Sequence, residues 1–111
     1  NVDHRVVANA VLTAFRPQPN ERCKELRLFE VASSTDYGNS AITGSFCPNL
    51  FIDITNEWSQ KANSLLVYSA EMREYPHSRS IESIKNLSKL RGNQVGLEFA
   101  EAFEVLRKIE K

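Results

Sequence analysis

Val95-Gly96-Leu97-Glu98-Phe99-Ala100-Glu101-Ala102-Phe103-Glu104-Val105-Leu106-Arg107-Lys108-Ile109 reads in two ways. Phe99, Phe103 and Leu106 recur at helical spacing, whereas Phe103, Val105 and Arg107 alternate as they would in an edge strand. On the first reading the rest of the chain offers only two strand signals. A sheet usually has more strands than that, and a parallel one must be covered on both faces. Either this segment and an unpatterned loop hide strands, or the remaining sheet lies outside these residues.

Before it, Ser80 caps a helix with Ile81, Ile84, Leu87 and Leu90 inward, and Gly92 is the natural C-terminal stop. Tyr75-Pro76-His77-Ser78-Arg79 interrupts the preceding helix, because proline disfavours helical backbone at the residue before it. That helix, capped by Thr55 or Asn56, carries Trp58, Ala62, Leu65, Leu66, Ser69 and Met72 on one face. Leu50-Phe51-Ile52-Asp53-Ile54 is a compact strand. Residues 32–48, rich in Ser, Thr, Gly and Asn, form a long loop of the kind that lines a site. Leu26 to Val31 alternate as a strand without showing which face is the core. From Asp3 to Phe15, Val7, Ala10, Val11, Ala14 and Phe15 mark a first helix that Asn1 or Asp3 can cap and that Arg16-Pro17 ends. The order is α/β in flavour.

The length of 111 residues allows one domain. Lys and Arg number 14 against 14 Asp and Glu, so no basic surface is expected for nucleic acid or anionic membrane. No apolar run approaches the ~20 residues that a membrane span needs. Neither a secretory signal nor an initiator Met is present, which suggests a segment removed upstream. Cys23 and Cys47 lie 24 apart without a paired motif, so reduced cytosolic thiols are expected.

The two histidines carry the chemistry to be weighed. At the tip of the first helix the macrodipole disfavours an imidazolium at His4, leaving the form that binds a metal, and Asp3 beside it can act as base or orient a neighbour. The plainer reading is that Asp3 caps and His4 packs toward the apolar stripe. No second ligand follows at helical spacing. A complete zinc site could only recruit distant groups such as His77, Asp53 or a cysteine, which nothing in the spacing favours. His77 and Arg79 lie in a segment combining a ring, an imidazole, a guanidinium and hydroxyls, suited to a hydroxylated or anionic ligand. The plainer reading there is a helix-entry loop. Glu98 and Glu101 could partner Arg79 or Arg91, the plainer reading being solvated charge. Neither a phosphate loop nor a serine-nucleophile elbow is present.

Asn1-Val2-Asp3-His4-Arg5-Val6-Val7, with Ala10-Val11-Leu12 and Arg16-Pro17 after it, resembles the second metal-binding motif of the PIG-L/LmbE family of zinc-dependent deacetylases. Glu74-Tyr75-Pro76-His77-Ser78-Arg79-Ser80, Ile81-Glu82-Ser83-Ile84, Arg91-Gly92, Val95-Gly96 and Ala100-Glu101-Ala102-Phe103 are similar, in the same order, to the C-terminal signature of its sugar-modifying members. The resemblance touches nearly the whole chain. It implies the C-terminal half of a Rossmann-like α/β domain of about twice this length, with the PHPDDE-type motif of the first half absent here. It further implies that His4 is a zinc ligand, with the remaining ligands in the missing half, and that Asp3 supports a neighbouring catalytic imidazole. Asn1 stands where the family has histidine, and Val2 where it has proline. The implied activity is cytoplasmic, metal-assisted hydrolysis of the N-acetyl group of an amino-sugar conjugate, with His77 and Arg79 at the substrate mouth. Three further expectations accompany it: no nucleic-acid partner, a homo-oligomer or complementing N-terminal segment, and an isolated fragment that is inactive. The competing readings are a non-catalytic carbohydrate-binding or assembly module on the same scaffold, and a self-contained α/β domain of unrelated function.

Overall fold

A computed structural model describes residues 2–31 and 45–110. In chain order the elements are α1 (Val2–Ala14), β1 (Glu25–Phe29), β2 (Leu50–Asp53), α2 (Trp58–Val67), α3 (Ile81–Asn93) and β3 (Ala100–Lys108). The ambiguous segment is a strand, and it is the centre of the sheet rather than its edge: the order is β1-β3-β2, with both pairs antiparallel. The buried residues that hold it there are Phe99, Ala100 and Ala102. Alanine favours helices and is weak as a strand former, so two of the most buried positions of this strand are the ones that say least about it.

The two outer strands share β3 end to end. β2 pairs with Ala100 to Phe103 and β1 with Phe103 to Lys108, so Phe103 is registered with both neighbours, Leu50 and Phe29. Leu106 has no counterpart on β1, whose register jumps from Arg107 to Val105 between Leu26 and Arg27. This is a β-bulge, which bends and twists the strand locally. Past the end of β2, Asn49 prolongs the ladder. Its backbone N–H donates to Phe103 O at 2.9 Å, its side-chain Oδ1 accepts from Val105 N at 2.7 Å, and its Nδ2 donates to Val105 O at 3.4 Å.

At the other end of the β2/β3 pair Ile54 N donates to Phe99 O at 3.0 Å. There the Asp53 carboxylate accepts both the N–H and the hydroxyl of Thr55, at 2.9 and 2.6 Å. The Thr55 hydroxyl oxygen in turn accepts from Phe99 N at 3.3 Å. Thr55 is therefore a latch between strands, not the expected cap. α2 begins after Glu57 without a side-chain cap, and it ends at Val67, short of Met72. Its Trp58 stacks on Phe99 at 5.4 Å, and Lys61 reaches Glu101 at 3.0 Å. Leu66 faces solvent.

Ser80 does cap α3, its Oγ accepting from Ser83 N at 3.0 Å. Gly92 does not stop the helix. It lies inside the last turn, where a Cβ would come within 2.7 Å of Leu97 O, so its role is close approach to the returning chain. Gly96, at φ +78°, makes the left-handed turn instead.

α1 departs furthest from expectation. The helix forms, yet none of its residues is buried. Val2, Val6 and Val7 are at least 60% exposed, so His4 has no buried stripe to lean on, and Asp3 sits within the first turn rather than before it.

Asn49→Ala should shorten the β2/β3 ladder and cost about 1–2 kcal/mol, the worth of two side-chain-to-backbone hydrogen bonds in part replaced by water. Urea unfolding followed by circular dichroism measures it; an unchanged midpoint would mean that the ladder does not need its side-chain rung. Thr55→Val should cost about 1 kcal/mol through the orphaned Phe99 N–H alone. Bonding to Thr55 holds the Asp53 carboxyl below its ordinary range, so that part of the stability is present at neutral pH and lost as pH falls through the depressed value. The gap between wild type and variant should therefore narrow in acid but not close; a gap that widens there contradicts the latch.

Candidate functional site

The sequence-derived candidates fall in two places. Asp3 and His4 are adjacent on the exposed first turn of α1. Asn1 lies outside the described residues, as does most of the Ser/Thr/Gly loop. Among the described residues no three His, Cys, Asp or Glu side chains converge as a metal site, so His4 is not joined there by His77, Asp53 or a cysteine. Cys23 and Cys47 are free thiols.

His77 and Arg79 sit in the turn that delivers the chain to α3. The segment is braced by its own backbone: His77 N donates to Glu74 O at 3.0 Å, Ser80 N to His77 O at 2.9 Å, and Arg73 N to Arg79 O at 3.4 Å. Arg79 N donates to His77 Nδ1 at 3.0 Å. The half-buried Arg79 guanidinium lies 3.6 Å from the exposed Glu71 carboxylate, a separation at which a surface pair is worth little. The segment is thus the helix entry of the plainer reading, with His77 and Arg79 held on one braced turn. Neither Glu98 nor Glu101 pairs with these arginines: Glu101 holds Lys61, and Arg91 takes another partner.

That partner is Glu30, which the sequence did not single out. Arg91 Nε and Nη2 donate to the two Glu30 oxygens at 3.0 and 2.7 Å, in a bidentate pair whose side chains are 16% and 13% exposed. The carboxylate raises the already high pKa of Arg91 further. The guanidinium also lies 5.6 Å from the centre of the Phe46 ring, within cation–π range. A planar, delocalised cation suits both contacts. The pair borders a cleft of about 340 Å³, whose apolar lining includes Val31, Leu65, Ile84, Leu87 and Phe103. Glu30 and Arg91 pair with each other, as Lys61 and Glu101 do, and among the described residues the cleft has no convergent polar set for a sugar. The only cue in sequence was an Arg in the last turn of α3, which reads equally well as a solvated dipole partner.

Among the described residues no helix is long and apolar enough to cross a membrane. No protein-family model, curated protein or solved structure matches the chain. What can be said of its function therefore rests on these residues and on the resemblance they carry.

Proposed function

We propose that this chain is the C-terminal half of a cytoplasmic, zinc-dependent deacetylase acting on an N-acetylated amino-sugar conjugate, its sheet and site completed by a Rossmann-like N-terminal half. The observation that carries the proposal is the placement of His4. It stands on an exposed helical turn beside Asp3, on a helix none of whose residues is buried. A helix that presents both a metal-binding side chain and an uncovered apolar stripe suits a surface built to meet another part of a larger fold.

The donors described here do not make up a zinc site. Such a site needs at least three protein ligands, and His4 supplies one. Bound zinc would acidify a water and polarise the acyl carbonyl. The work assigned to this chain is narrower: His4 offers one ring nitrogen, Asp3 orients a neighbouring imidazole, and Asn1 offers an amide where the family has histidine. His77 and Arg79 bind the sugar.

The competing reading, a carbohydrate-binding module without catalysis, draws on the Tyr75 to Ser80 segment, which is braced by its own hydrogen bonds. One experiment separates the two. In a protein extended upstream to include the remaining ligands, deacetylation of an N-acetylglucosamine conjugate is measured alongside binding of the same compound. His4→Ala, at a position that no core depends on, should lower kcat by more than the roughly 10–100-fold that loss of a metal's outer-shell partner costs. An extended protein that binds the sugar equally well with and without His4, and never hydrolyses it, is a module.

A further inference from the structure

Building on the reading of His4 as a ligand offered outward, we infer that Arg107 is its positioning residue: reaching from β3 to the carbonyl of Phe15 at the end of α1, it sets the direction in which that helix carries His4. Arg107 Nη2 donates to Phe15 O at 2.6 Å. The carbonyls of a helix's last turn have no partner within the helix, and a cation placed there also meets the negative end of the macrodipole. α1 has no basic residue in its own last turn, and Phe15 N closes that turn on Val11 O at 3.0 Å. The cation comes instead from the central strand. Its aim is prepared by the bulge. The register of β1 passes from Arg107 to Val105 between Leu26 and Arg27, leaving Leu106 as the extra residue beside Arg107, and bulges re-aim neighbouring side chains.

Orientation matters more for α1 than for the other helices. None of its residues is buried, whereas α2 stacks Trp58 on Phe99 and α3 buries Ser88 and Gly92. With no face packed among the described residues, α1 can turn about its C-terminal end, from which residues 15–24 lead to β1 outside any helix or strand. His4 lies about 16 Å along the helix from that end, so a swing of roughly 20° carries its ring about 6 Å. Metal ligands must hold their distances to about 0.2 Å. A directional bond at the pivot narrows the swing, and a guanidinium, planar and always charged, suits the task.

Residual dipolar couplings of the ¹⁵N-labelled 111-residue chain, weakly aligned, read the orientation of α1 against the sheet. In the wild type α1, β1 and β3 should fit a common alignment. Arg107→Ala should leave β1 and β3 as they are while the α1 couplings collapse toward zero, and Arg107→Lys, which keeps a charged donor on the same strand, should restore the common fit. Should Arg107→Ala not fold, Arg107→Met, which keeps an aliphatic stem and loses the donors, is read in the same way. An α1 that stays aligned without Arg107, an α1 already unaligned in the wild type, a β1 that loses its alignment together with α1, or an Arg107→Lys variant no better than Arg107→Ala each overturns the inference. None of these results touches the deacetylase reading, which is decided by hydrolysis in the extended protein. Conversely, an inactive extended protein whose α1 is pinned as described rejects that reading alone.

Discussion

Phe103 is the one residue of β3 registered with a partner on each side, Leu50 and Phe29, and the described fold depends on that overlap. β2 hangs from the first half of the strand and β1 from the second. A sheet joined over so short an overlap needs help at its seams. Asn49 supplies it on one flank by pairing its amide with Val105, and Thr55 on the other by tying Asp53 to Phe99. Across the domain, the Glu30 and Arg91 pair joins the end of β1 to the last turn of α3. These polar ties matter because the buried apolar set among the described residues is small: Ile54, Phe99, Ala100 and Ala102. With so little core, hydrogen bonds between segments carry a larger share of the specificity.

The same economy explains why α1 stands apart. Its apolar residues have the spacing of a buried face, yet they remain exposed beside a sheet whose buried apolar set has no member from α1. Its tie to the sheet is polar, Arg107 donating to Phe15 O at 2.6 Å. The proposed function takes this exposed face, and His4 with it, to be offered to another part of a larger fold.

Much of this was legible in the residues. The Leu50–Asp53 strand and the helices beginning at Val2, Trp58 and Ile81 follow from local apolar pattern, and the last of them from the Ser80 cap as well. The central strand did not, because Phe99, Phe103 and Leu106 also satisfy a helical period and the decisive burial falls on alanines. Gly92 was misread because glycine near a helix end has two uses, a left-handed turn and close packing, and only the position of Leu97 tells them apart. The pairing of Arg91 with Glu30 joins residues 61 apart, beyond the reach of any local pattern. For the site the division is similar. The make-up of the Tyr75 to Ser80 segment is read from sequence, while the backbone bonds that brace it required the geometry.

The central claim is that this chain holds one ligand of a zinc site and not the site. Equilibrium dialysis of the folded 111-residue chain against zinc, followed by metal analysis, tests it most directly. The account predicts weak binding, far short of one tightly held zinc per chain and abolished by His4→Ala. Tight binding of one zinc per chain, or binding indifferent to His4, would contradict it.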